Sequence, residues 1–439
     1  MKYPLVLVFW SALLFTACQQ QKKLPVTLQL PLEIKDGYGP FQPGFGELTP
    51  ESDDYPKSVP NRTSRLPIKG IPKTWVNTVK IRIDLQPYQF IYQNFCAGNI
   101  DTAWFNGFQS YWKWTPDERA FSASPIRCFV YAIKGFDTVA DEWAVMVDTN
   151  NNLDFSDETA VYPEVIRDGA IPDEIRKPLR VEYEVYQHGK VRKAQTLMSI
   201  RRKGELFLYN FPHHAVATDP GGNTNRRIFV SSGFSHLDFT LPDLALPASV
   251  NRTGKVDPQE LISLGEIIEL EGVAYRNKGV DFARNVLRLE RADLATQTFT
   301  LQPGQPFWPF EAREFTTGKS VALADFRGKY VYIDFWATWC KGCVEDMPAL
   351  KEVYRSLDKN RFAFLGVVSA DKPERVRAFL RKRAVEWPQI FSDSTDKITQ
   401  TYGIRTLPVT VLLDPDGNVL AKDLRGAALS EKLRELAAR

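Results

Sequence analysis

Two cysteines with two residues between them, Cys340-Lys341-Gly342-Cys343, follow closely on the apolar run Tyr330-Val331-Tyr332-Ile333-Asp334-Phe335-Trp336. Thiols at that spacing, with the first at the start of a helix, make a redox couple. Zinc sites use the same spacing, but none of the four histidines lies near this pair. A thiolate, not a thiol, attacks a disulfide, so Cys340 must be ionised near neutral pH. A helix N-terminus favours that charge through its unpaired N–H groups and macrodipole, and Lys341 adds a positive charge acting the same way. Cys340 is then the nucleophile, and Cys343, less exposed one turn later, resolves the mixed disulfide. Asp334 stands inside the apolar strand, where an acid is costly unless it is used or paired.

The elements that must hold these groups read as strand and helix in alternation from residue 301 onward. Strands are expected at Val331 to Phe335, Phe362 to Val368 and Val409 to Leu413. Helices are expected at Cys340 to Leu357, Pro373 to Arg383 and Thr395 to Tyr402. Such alternation predicts an α/β layer with a central sheet. Asp414-Pro415-Asp416-Gly417-Asn418 is a hairpin turn, and Ser430 to Ala438 reads as a last helix with Ser430 as its N-cap.

Residues 301–439 resemble the thioredoxin superfamily, and within it the membrane-anchored TlpA/ResA-like thiol-disulfide oxidoreductases. Phe335-Trp336-Ala337-Thr338-Trp339-Cys340 carries the resemblance, with Phe326-Arg327-Gly328-Lys329 before it, Pro348 in the active-site helix and Leu407-Pro408 after Gly403-Ile404-Arg405-Thr406. The resemblance implies a thioredoxin-like fold, no cofactor beyond the Cys340/Cys343 couple, and a disulfide reductase in preference to an oxidase. It places Asp334 at the superfamily's buried acid and Asp346 where ResA-like members carry a glutamate, so either would move the proton of Cys343. It makes Leu407-Pro408 a cis bond that leaves the Thr406 to Leu407 backbone free to pair with an extended substrate segment. Gly342 replaces the proline common in reducing relatives. Ala337 stands where a peroxidase of the peroxiredoxin kind has threonine, which disfavours peroxide reduction.

At 439 residues the chain is expected to be multidomain. A net charge of +3 over that length gives no nucleic-acid footprint. Lys2 and the apolar run Leu5 to Phe15 read as a secretory signal, too short to span a bilayer once mature. Leu14-Phe15-Thr16-Ala17-Cys18 resembles a bacterial lipobox, which would acylate Cys18 and anchor the protein at a membrane surface. Gln19 after it favours the outer membrane over the inner. The organisation expected is a lipoprotein signal peptide at 1–17, a flexible tether at 18–67, and a β-rich, sandwich-like region at 68–300, with a split near 165 as an option. The thioredoxin-like domain follows at 301–439. Location would be the bacterial cell envelope, lipid-anchored and facing the periplasm. Partners would be cysteine-containing envelope proteins as clients and an upstream thiol-disulfide electron donor.

Three further features carry two readings each. Cys96 and Cys128 form a structural bridge or remain separate thiols. Asp148, Asn150, Asn152 and Asp154 offer oxygens at alternate positions like the start of a Ca²⁺ loop, although Leu153 replaces the glycine and Thr159 the bidentate glutamate; a solvated turn is the other reading. Trp104-Phe105, Phe108, Tyr111-Trp112 and Trp114 make a glycan or peptide platform or a buried cluster. A lipoprotein binding module with an accessory redox domain is therefore the rival to the enzyme. His213-His214 reads as a loop.

Overall fold

The structure, a computed structural model, describes residues 26–50, 66–112, 116, 119–166, 177–187, 189–218, 227–239, 242–281, 284–292, 301–392, 398–402, 404 and 407–438. The signal peptide, Cys18, Trp114 and Thr406 lie outside the described residues, as do the side chains of Tyr111 and Trp112. Among the described residues no helix is long and apolar enough to cross a membrane.

The N-terminal region is strand-rich, with a sandwich and a curled sheet as its main parts. Trp75–Asp84, Phe129–Asp137 and Glu142–Val147 form a three-stranded antiparallel sheet, and Gly46–Glu47, Leu206–Asn210, Lys190–Lys203 and Leu179–Gln187 a four-stranded one. Both contribute to one core that includes Ile81, Ile83, Val130, Val145, Val181, Met198 and Phe207. The two sheets are thus the faces of a sandwich, and the chain does not divide near residue 165. Seven further strands, among them Thr27–Asp36, His213–Ala217, Ile228–Ser231 and Val286–Arg291, make a curled antiparallel sheet around Leu30, Val230, Leu244, Ile268 and Leu287.

The tether expected at 18–67 is corrected for residues 26–50, while 18–25 and 51–65 lie outside the described residues. Thr27–Asp36 pairs with Val286–Arg291 along its first half and with His213–Ala217 along its second, and Leu28, Leu30 and Leu32 point inward in strict alternation. An alternating segment buries its apolar face wherever a sheet offers an unpaired edge. Because Thr27–Asp36 pairs with strands beyond residue 212, the sandwich is an insertion into the curled sheet. His213 and His214 lie in a strand and are buried, not in a loop.

Two helices, Pro87–Cys96 and Thr102–Trp112, for which no helix was expected, interrupt the β-rich region. Pro87 opens the first, a position where its missing N–H costs nothing. Buried Gln89 and Gln93 then hold that helix by bonds to the backbone of Ser122 and Ile126. Of the aromatics with described side chains, Phe105 is buried and stacks on Phe95, while Trp104 and Phe108 are half-buried and stack on each other. Cys96 is exposed, Cys128 is buried, and the two are not bridged. In the acidic turn, Asp148 accepts from the backbone N–H groups of Asn152 and Leu153, Asn150 from Asn152, and Asn152 from Asp154, while Asp154 pairs with Lys69. Among the described residues no group of three or more His, Cys, Asp or Glu could hold a metal ion.

The C-terminal unit has the five-stranded order Gln389–Ser392, Phe362–Ser369, Tyr330–Trp336, Val409–Leu413, Val419–Lys422, parallel across the first three and antiparallel across the last two. Tyr330–Trp336 is central and buried on both faces, which explains its unbroken apolar run. Val331, Ile333 and Phe335 point to one core; Tyr332 and Trp336 point to the other, shared with Cys340, Cys343, Met347 and the helices Lys341–Ser356, Pro373–Arg383 and Gly426–Ala437. The last helix begins four residues before Ser430, whose hydroxyl donates back to the Gly426 carbonyl instead of capping. The two regions meet at a buried ion pair: Lys422 Nζ lies 3.1 Å from Glu266 Oε2, with side chains 4% and 8% exposed.

Candidate functional site

Strand register brings the chemistry together. Val409 pairs with Phe335, which sets Pro408 level with Trp336 at the end of the central strand, where the dithiol loop begins. The Leu407-Pro408 bond is cis. The chain then turns through Ala337 and Thr338, whose N–H donates to Asp371 Oδ2 at 2.6 Å, into the helix Lys341–Ser356. Trp336 is locked below by its indole N–H donating to Gln389 Oε1 at 2.9 Å. Trp339, 46% exposed, donates its indole N–H to the Ala370 carbonyl at 2.8 Å.

Cys340 is the N-cap residue of that helix, and its Sγ accepts from the Cys343 N–H at 3.2 Å. The two cysteines are joined as a disulfide with Cα atoms 5.3 Å apart. Both are sheltered, Cys343 more than Cys340. The first turn of a helix has no intrahelical acceptors for its N–H groups, so negative charge at Cys340 Sγ meets fixed positive partial charge there. Lys341 is exposed, and its ammonium sits 3.7 Å from Glu47 Oε2 of the sandwich, which offsets the charge it would lend. Pro348 lies within the helix and removes the N–H that would reach the Val344 carbonyl.

Asp334 lies on the same face of the central strand as Tyr332 and Trp336, the face that carries the dithiol helix. It is buried, and that burial pushes its carboxyl up to about 7, against the pull of the Arg425 guanidinium and with a further push from Asp346. Tyr332, buried beside it, is held well above the ordinary phenol range for the same reason. Asp346 is on the dithiol helix one turn beyond Cys343, and its Oδ2 accepts from Arg425 Nε at 2.5 Å. Arg425 also donates from Nη2 to the Gly342 carbonyl at 2.9 Å.

The structure therefore gathers Cys340, Cys343, Asp334, Asp346 and Pro408 at one end of the sheet. Arg425 and Glu47 were missed by sequence reasoning. Glu47 is nearly 300 residues away along the chain, and Arg425 is marked locally only by the Gly426 that follows it. A cavity of about 440 Å³ opens beside Pro408 and Val409. Lys422 and Asp423 line it from the C-terminal unit, and His236, Asp243 and Glu266 from the N-terminal region.

The AhpC/TSA family matches residues 303–422. The thiol-disulfide oxidoreductase ResA of Bacillus thuringiensis subsp. konkukian is 32% identical over 118 residues, 27% of this chain and 67% of that protein. ResA of Geobacillus thermodenitrificans is 33% identical over the same length and shares. A solved thiol-disulfide oxidoreductase from Bacteroides fragilis is 31% identical, covering 30% of this chain and 99% of its own, with a TM-score of 0.28.

Proposed function

Since the chain belongs, through its C-terminal domain, to the thioredoxin-like thiol-disulfide oxidoreductases of the ResA kind, we propose that it exchanges the Cys340/Cys343 couple with cysteine-containing proteins of the bacterial cell envelope. In the reducing direction the Cys340 thiolate attacks a client disulfide. The client S–S bond breaks, one client thiolate leaves, and a mixed disulfide forms at Cys340. Cys343 then gives its proton to Asp334 and attacks Cys340 Sγ. That attack breaks the Cys340–client S–S bond; the released client thiolate takes the proton back from Asp334, the first client thiolate takes one from solvent, and the enzyme is left as the disulfide with two electrons passed to the client dithiol. An upstream thiol-disulfide donor restores the dithiol. No cofactor enters, because the sulfur pair carries the electrons.

The observation that carries this reading is Cys340 at the helix N-cap, its sulfur already accepting from a backbone N–H, with Cys343 bonded behind it. The direction, reduction of clients, follows the resemblance and is read from the equilibrium potential of the pair against glutathione. Lipid anchoring through Cys18 at the outer membrane is supported by the sequence from Lys2 to Gln19. The test is exchange with a disulfide-bonded protein substrate. Cys340→Ala should abolish it and Cys343→Ser should accumulate a mixed disulfide visible without reductant. Equal rates for wild type and Cys340→Ala would remove the couple as the catalytic centre.

A further inference from the structure

Arg425 is the N-cap residue of the final helix, yet it makes no cap with its side chain. The guanidinium instead crosses to the first two turns of the dithiol helix, where it bridges the Gly342 carbonyl and the Asp346 carboxylate. Residue 342 leaves room for it, since a Cβ there would stand 3.1 Å from Arg425 Nη2. Asp334 faces the same cluster from below and feels both charges. Three charged groups therefore share the space under the active-site turn: a cation from the final helix, one acid from the dithiol helix and one from the central strand.

We propose that Arg425 is a positioning residue for the exchange reaction: by tying Asp346 to the Gly342 carbonyl it holds that acid against the dithiol turn, and its charge sets when Asp334 can take the proton of Cys343. The inference rests on the exchange reading above and deepens it. Arg425 and Asp346 oppose each other at Asp334. The cation favours the ionised base and the neighbouring carboxylate disfavours it. A base works only in its ionised form, so the resolving step should track that balance.

The test is the pH dependence of mixed-disulfide resolution in the full-length chain for wild type, Arg425→Gln, Arg425→Lys and Asp346→Asn. Loss of a nearby cation raises a carboxyl by about one unit or more, so Arg425→Gln should slow resolution about tenfold at pH 6 and little at pH 9. Asp346→Asn should move the profile the opposite way, with faster resolution at pH 6. Arg425→Lys should keep most of the wild-type profile. A purely structural role would move both substitutions in the same direction, and that result, or no shift in an active enzyme, overturns the inference. Absence of Cys340-dependent exchange in wild type would instead overturn the functional reading. In that case the Asp334 carboxyl is titrated by ¹³C NMR of Asp-labelled protein, with Asp334→Asn for assignment. Its midpoint must rise in Arg425→Gln, and an unmoved midpoint refutes the role.

Discussion

Replacing Asp334 by Asn tests whether this acid is held at a cost to the fold. Its carboxyl moves from an ordinary 3.8 to about 7 because the site is buried. At about 1.4 kcal/mol per unit, a shift of about three units amounts to about 4 kcal/mol. The sign follows from proton counting. Between pH 4 and 7 the unfolded chain has lost this proton while the folded chain keeps it, so folded-state stability falls as pH rises through that window and levels off above it. Asn has no charge to bury and escapes the penalty. The variant should match wild type near pH 4 and exceed it by about 2–4 kcal/mol at pH 8, the lower figure allowing for relaxation around the charge. The assay is hydrogen exchange of the core amides of Tyr330–Trp336 in the oxidised full-length protein, corrected for intrinsic rates, which reports opening of this unit alone. Equal gaps at pH 4 and pH 8, or a variant less stable at pH 8, would refute the argument.

Glu266→Gln removes the carboxylate in contact with buried Lys422 and should cost up to about 3–5 kcal/mol, with Asp243 and Asp423 nearby offsetting part of the loss, seen as a lower melting temperature and lost amide protection around Leu261 and Lys422. The pair Glu266→Leu with Lys422→Met should recover most of that loss, whereas equal losses for single and double variants would contradict a buried pair. Metabolic labelling with a fatty acid should mark wild type and not Cys18→Ala, and label in the variant would move the anchor elsewhere.

Much of the C-terminal domain was legible because its signals are local. Tyr330–Trp336, Phe362–Ser369 and Val409–Leu413 are apolar runs of strand length, Pro373–Arg383 begins with a proline, and the hairpin turn is written in its residues. The start of the last helix was misplaced because Ser430 looks like a cap while the true start at Gly426 has none. In the N-terminal region the missing information is nonlocal. Leu28, Leu30 and Leu32 alternate visibly, but Pro31 and the polar surroundings hid a strand whose partners lie beyond residue 212. The helix Pro87–Cys96 is rich in aromatics that favour strands, and it is tertiary bonds from Gln89 and Gln93 that override this propensity. At the site, Cys340 and Cys343 were legible from spacing and Asp334 from an acid in an apolar strand. Arg425 was not, since its partner Asp346 lies 79 residues earlier.

The central claim is that helix geometry, and not exposure, makes Cys340 reactive, and the chain contains its own control. Cys96 is exposed at the C-terminal end of Pro87–Cys96, away from any helix N-terminus of its own, whereas Cys340 is sheltered at an N-terminus that favours a thiolate. In the reduced protein at pH 7, iodoacetamide followed by peptide mapping should label Cys340 about tenfold faster than Cys96 and ahead of Cys343. Faster labelling of Cys96 or Cys343 would contradict the account.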